Sequence, residues 1–184
     1  ELEPFLDPEL KLLAGTGWLF SRAELDSTLD YLFVDEAGQV SLADALAMGT
    51  AARNLVLVGD PQQLDQVIQG THPAGSGASV LRHLLGDDPT VPADRGLFLG
   101  RTYRLHPDVC GYISEEFYEG RLEPADVARG RTTPFGTGLR YLAVPHEGRR
   151  QESEEEAEAI ARELARLGPA DVMVVAAYNA QVNL

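Results

Sequence analysis

Two short apolar runs set the terms for what this chain can fold into. Tyr31-Leu32-Phe33-Val34 ends in Asp35-Glu36-Ala37-Gly38-Gln39, and Leu55-Val56-Leu57-Val58, starting 24 residues later, ends in Gly59-Asp60-Pro61-Gln62-Gln63-Leu64. Runs this short, each ending in polar residues, read as strands with a buried face. Between them Ser41 opens Leu42-Ala43-Asp44-Ala45-Leu46-Ala47-Met48, where the apolar residues recur at helical spacing. Strand, helix, strand in that order predicts an α/β fold: parallel sheets with crossover helices. In open sheets of this kind, ligands bind at the carboxyl ends of the strands. The polar residues that close each run are therefore the first candidates for chemistry.

Asp35 and Glu36 are two adjacent carboxylates at such an end. The first can hold Mg²⁺, and the second can orient and deprotonate an attacking water. With the polar end of the second strand they read as half of an ATP site. The other half would be a phosphate loop, G-x-x-x-x-G-K-[ST], whose amides and lysine cradle the phosphates. The nearest candidate, Gly15-Thr16-Gly17, is followed by Trp18, and the single lysine, Lys11, lies in no such context. The 184 residues are therefore expected to be an excerpt of a longer protein lacking the phosphate loop. Glu1 at the start and Leu184 inside an apparent helix start agree with that expectation.

Composition narrows the classes further. An apolar fraction of 44% supports a real core. No apolar run approaches the ~20 residues that span a bilayer, and no signal peptide opens the chain. One cysteine, Cys110, excludes an intrachain disulfide and a cysteine zinc site, so a cytoplasmic protein is expected. The formal charge of −14 argues against a broad basic surface of the kind nucleic-acid binders carry. Much of the acid sits between Glu152 and Glu158, which reads as a solvated helix start.

Further along, the pattern predicts strands over Tyr31–Asp35, Asn54–Gly59, Leu139–Val144 and Asp171–Ala177. It predicts helices from Ser79 to Leu85, from Pro107 through Phe117, and from a capping box at Ser153-Glu154-Glu155-Glu156 to Leu167, with Gly168 as the stop. Asp60 to Gly77 and Gly120–Gly138 read as loops, and 86–96 as a linker.

Four segments in order, Asp35–Gln39 (DEAGQ), Gly59–Leu64 (GDPQQL), Thr102–Pro107 (TYRLHP) and Ala177–Val182 (AYNAQV), resemble superfamily 1 helicases. The most similar branch holds the helicase of nonsense-mediated RNA decay and the replication helicase-nuclease. The chain also resembles the helicase part of bacterial proteins that join such a motor to a RecB-type nuclease domain. The resemblance implies parts of two RecA-like P-loop NTPase domains: 1–97 the back part of the first, and 98–184 the front part of the second. Such a pair clamps ATP and Mg²⁺ in its cleft and moves along single-stranded DNA or RNA.

Residue by residue, the resemblance implies Asp35 as the Mg²⁺ ligand, Glu36 as the general base and Gln63 as the γ-phosphate sensor. It implies Arg104 as the arginine finger of the second domain, whose forked, permanently charged guanidinium suits a γ-phosphate redistributing its charge. Tyr103 either stacks on the adenine or packs between domains. Tyr178, Asn179 and Gln181 match a segment near the bound strand, where an aromatic ring serves as a base platform. Thr16 and Thr71 match weaker strand-contact positions. Asp60 reads as a loop cap, His106 as a helix-start hydrogen-bonding group and Cys110 as core. Asp65 departs from the proline usual after GDPQQL in related proteins, and a negative charge there either weakens binding to phosphate or points to solvent. Two other readings stay open: a non-catalytic RecA-like binding module, and a motor feeding a nuclease domain in the same parent chain.

Overall fold

Leu32 and Val34 are buried at 5% and 6% exposure, whereas the alternating Tyr31 and Phe33 are 60% and 67% exposed. That alternation belongs to a strand with one covered face. The computed structural model describes residues 9, 11–63, 73, 76–168 and 171–184, and the chain divides into two units, Glu1–Phe98 and Leu99–Leu184.

In the first unit, β1 (Leu29–Val34) pairs in parallel with β2 (Ala52–Leu57), in register from Leu29↔Ala52 to Val34↔Leu57. The crossover is α2 (Leu42–Gly49), capped by Ser41, whose hydroxyl accepts from the Asp44 amide at 3.0 Å. Ser79 caps α3 (Val80–Leu85) in the same way, and Ser41 and Ser79 form an antiparallel bridge, so both helices start side by side. A one-turn helix, α1 (Gly17–Phe20), supplies Phe20. Phe20, Leu25, Leu32, Val34, Ala45, Met48, Val80 and Leu81 form one core on the covered face of the strands.

Three expectations for this unit change. The strands run over Leu29–Val34 and Ala52–Leu57 instead of Tyr31–Asp35 and Asn54–Gly59, so Asp35 lies in a turn and Gly59 lies beyond the end of its strand. The opposite face of β1 is not covered among the described residues, because a strand is buried on both sides only where helices flank the sheet on both sides. The 86–96 stretch is packed rather than free: Thr90 is 4% exposed, and the Arg95 guanidinium donates to the Leu84 carbonyl at 3.1 Å.

In the second unit, β3 (Arg101–Thr102) pairs in parallel with β4 (Glu123–Pro124). Pro124 fits because the ladder takes the amides of Glu123, to Gly100 at 2.7 Å, and Ala125, to Thr102 at 2.8 Å, and needs no donor between them. β4 and a 3₁₀ turn over Asp126–Gly130 therefore interrupt the stretch read as loop. α4 (Pro107–Phe117) starts at His106, whose Nδ1 accepts from the Asp108 amide at 3.2 Å. Its inner face holds Cys110, whose thiol burial pushes up in pKa and which donates to the Leu122 carbonyl.

α5 (Glu154–Leu167) starts at the Ser153 cap and stops at Gly168 with φ 70°. The one-turn α6 (Asn179–Val182) follows Tyr178. The segments 139–144 and 171–177 are not strands. Tyr141 is 93% and Met173 86% exposed, and no strand pairs with either segment among the described residues. Apolar residues make a strand only when a neighbour completes the ladder. Among the described residues, no helix is long and apolar enough to cross a membrane.

Leu25 has no exposed surface. Leu25→Ala is expected to lower unfolding free energy by about 2–5 kcal/mol in denaturant titrations, since the site cannot fully collapse. At α5, Arg149 grips Glu155 with two hydrogen bonds, at 2.9 and 3.2 Å, and holds its carboxyl at about 2 instead of 4.5, assisted by Glu155's own amide and the Ser153 hydroxyl. The folded value is depressed, so this stabilisation is present above pH ~4.5 and is lost as pH falls toward 2. A carboxyl titration by NMR should find Glu155 still ionised at pH ~3.

Candidate active site and strand-contact residues

The turn after β1 carries the densest chemistry. Glu36 sits in the left-handed region at φ 53°, ψ 40°. A non-glycine residue there costs of order 1–2 kcal/mol, and such conformations persist where the surroundings over-determine them. The surroundings are visible. Val58 donates to the Val34 carbonyl and Ala37 to the Val58 carbonyl, both at 2.9 Å, so the two strand ends stay laced together beyond the ladder. A Cβ on Gly38 would lie 2.3 Å from the Asp60 carbonyl oxygen, and one on Gly59 would lie 2.7 Å from the Ala37 nitrogen. Only glycines allow the two turns to pass this closely.

That packing brings the polar ends together. Asp35 is exposed, and its Oδ1 accepts from the Glu36 amide at 3.0 Å. Its other oxygen makes no hydrogen bond or ion pair among the described residues. Glu36 is exposed too, with no side-chain partner among them. Gln63 comes from the second turn, where its Oε1 accepts from Gln39 Nε2 at 3.4 Å. Gln39 lies in the motif quoted from the sequence, but its link to Gln63 spans two strand ends and could not be read from spacing. Asp60 Oδ1 accepts from the Gln62 amide at 2.9 Å, a loop-cap role, and Gln62 Nε2 donates to the Pro89 carbonyl at 3.1 Å. An exposed hard oxygen donor with one oxygen uncommitted, as at Asp35, suits Mg²⁺.

In the second unit, Arg104 is exposed and its guanidinium meets no carboxylate among the described residues, although the chain holds 29 acidic residues. Its backbone, by contrast, is held on both sides. The Thr102 hydroxyl accepts from the amides of Arg104 at 3.2 Å and Leu105 at 3.3 Å, and Arg131 Nη1 donates to the Arg104 carbonyl. Sequence reading gave Thr102 and Arg131 no role. A threonine two residues before a turn is a signal for the first, whereas Arg131 is 27 residues away and gives none. Tyr103 is 64% exposed.

Tyr178 and Asn179 are exposed at the start of α6. Gln181 is half-buried and turned inward: its Oε1 accepts from the Ser153 amide at 2.6 Å, and its Nε2 donates to the Ser153 carbonyl at 3.1 Å. Its carboxamide is thus engaged inside the unit. Thr16 precedes α1 without capping it by its side chain. Thr71, with Leu64 and Asp65, lies outside the described residues.

Residues 9–79 match the family described as AAA domain, a span that takes in both strands and the turn at Asp35–Gln39. The chain is 32% identical over 114 residues to the Arabidopsis thaliana protein named Probable helicase MAGATAMA 3, covering 60% of this chain and 13% of that protein. It is 33% identical over 119 residues to the Drosophila melanogaster Regulator of nonsense transcripts 1 homolog, covering 64% and 9%. It is 28% identical over 116 residues to the Schizosaccharomyces pombe DNA replication ATP-dependent helicase/nuclease dna2, covering 63% and 8%. The chain thus spans 13%, 9% and 8% of the length of these relatives.

Gly38→Ala forces a methyl group against a backbone oxygen that no side-chain motion can clear. It is expected to destabilise the first unit by about 1–3 kcal/mol, seen as a lower thermal midpoint. Ser41→Ala, which removes the cap of α2, should cost about 1 kcal/mol, and Gly38→Ala should in addition shift the Glu36 amide resonance.

Proposed function

We propose, on the premise that this chain is a relative of the superfamily 1 helicases on the branch of the nonsense-transcript and replication motors, that it supplies part of an ATP-driven translocase or helicase acting on single-stranded DNA or RNA. The observation that carries this reading is Glu36, an exposed carboxylate without a side-chain partner among the described residues, held in a strained backbone at a strand end beside a second carboxylate. Residues 1–97 would be the back part of a first RecA-like domain and 98–184 the front part of a second.

In this reading Glu36 accepts the proton of the attacking water as the water oxygen bonds to the γ-phosphorus and the bond to the ADP oxygen breaks. Asp35 would hold Mg²⁺, which when bound neutralises phosphate charge. Gln63 reports the γ-phosphate, and its hydrogen bond to Gln39 ties that report to the turn holding Glu36. Arg104 meets the charge that develops on the transferring phosphoryl group, a contribution of roughly 10³–10⁵ in related enzymes. Its lack of a carboxylate partner among the described residues keeps the guanidinium available, and Thr102 and Arg131 fix where it starts. Tyr103 is assigned to the adenine. Tyr178 and Asn179, with Thr16 and Thr71, are assigned to the strand, gripped through stacking and hydroxyls, which the −14 charge does not oppose.

A buried thiol with no disulfide partner suits a reducing compartment, and the cytoplasm is the proposed location. One relative's name joins helicase to nuclease, which supports a nuclease domain in the same parent chain as part of the proposal.

The test is ATP turnover of the full-length protein with and without single-stranded DNA or RNA. Glu36→Gln is expected to lower kcat by about 10²–10⁴ while ATP still binds, and Arg104→Ala by about 10³ or more. The 184 residues alone, with no phosphate loop, should hydrolyse ATP negligibly. Normal turnover in Glu36→Gln would remove the base from this scheme. No turnover in a folded protein with an intact phosphate loop would favour a non-catalytic binding module.

A further inference from the structure

We propose that Gln181 is a positioning residue: its carboxamide clamps the Tyr178–Asn179 turn to the start of α5 and does not itself touch the nucleic acid. The proposal rests on the reading of Tyr178 and Asn179 as strand contacts and says how they are presented.

The pattern Ser153-x-x-Glu156 is a capping box, in which the serine hydroxyl takes the amide of the third helical residue and the glutamate returns to the serine amide. Half of that box is built: Ser153 Oγ accepts from the Glu156 amide at 3.3 Å. The return half is not. Glu156 Oε1 pairs instead with His146 Nε2 at 3.0 Å, and the Ser153 amide is given to Gln181 at 2.6 Å. Gln181 also donates to the Ser153 carbonyl at 3.1 Å, so one planar carboxamide meets both backbone polar groups of a single residue 28 positions away.

Ser153 is only 3% exposed, so water cannot easily replace those two bonds. Its hydroxyl also donates to Glu155 Oε2 at 2.9 Å, and Glu155 is held by Arg149. The cap is therefore a rigid post. α6 needs one: a four-residue turn has no helical cooperativity of its own. With Gln181 turned inward on α6, Tyr178 and Asn179 stay exposed at its start. The same short segment thus combines one anchoring side chain, Gln181, with the exposed Tyr178 and Asn179 at its start and the exposed Val182 at its end.

The experiment uses the full-length protein and two readouts: amide hydrogen exchange at Ser153 without nucleic acid, and affinity for oligo-dT and oligo-U. Gln181→Ala is expected to speed Ser153 exchange about tenfold or more and to weaken strand binding several-fold. Gln181→Glu keeps an acceptor for the Ser153 amide but opposes the Ser153 carbonyl, so it should fall between. Tyr178→Ala should weaken strand binding with Ser153 exchange unchanged. Weakened binding in Gln181→Ala with Ser153 still protected would mean direct strand contact and would overturn the proposal. Faster Ser153 exchange with unaltered binding would overturn the positioning role. A wild-type protein that bound neither oligonucleotide would remove the strand reading and the positioning role with it, while the Ser153 exchange would still report the clamp.

Discussion

The passage of the 35–39 turn against the backbone of Asp60, with Gly38 at the point of closest approach, is the constraint on which the arrangement of the first unit's candidate site depends. Parallel pairing of β1 and β2 brings the strand ends level, at Val34↔Leu57. Level ends alone would leave two independent turns. The bonds from Val58 to Val34 and from Ala37 to Val58 extend the lacing past the strands, and the space a Cβ would need is already filled. The chain then has few ways to leave β1, and the one it takes puts Glu36 in a left-handed conformation. That strain is small against the core of Leu25, Leu32, Val34 and Met48 that supports it.

The second unit reaches the same end through hydrogen bonds in place of close packing. The backbone of Arg104 is fixed by the Thr102 hydroxyl and Arg131, while its guanidinium meets no acid among the described residues. Ser153 plays the corresponding part for the 178–182 segment. In both places the backbone is satisfied and the candidate site side chains, Arg104 in one and Tyr178 and Asn179 in the other, are exposed. The exposed ion pairs around α5 add little individually. Their effect is to keep Ser153 and its cap in one arrangement.

Much of this was legible from residue order. Ser41, Ser79, His106 and Ser153 start helices because each offers an acceptor to an amide two or three residues on, a purely local interaction. Gly168 stops α5 for an equally local reason. The strands were harder. The 31–34 and 55–58 runs have each other as partners and form a pair, whereas 139–144 and 171–177 have similar composition and stay unpaired among the described residues. Gly120–Gly138 read as loop, yet β4 lies within it because its ladder asks nothing of the Pro124 nitrogen.

By itself the sequence determined the local frame of this protein: its α/β alternation, its helix starts and stops, and the pair of acids at a strand end. These rest on interactions within a few residues, which spacing encodes directly. Only the tertiary structure decided that one face of β1 is covered, that Gln39 meets Gln63, that Arg131 holds Arg104, and that Gln181 turns to Ser153. Each of the last three contacts joins groups 24 to 28 residues apart. At such separations a side chain's partner depends on where the intervening chain returns, and that is settled by packing and ladder pairing.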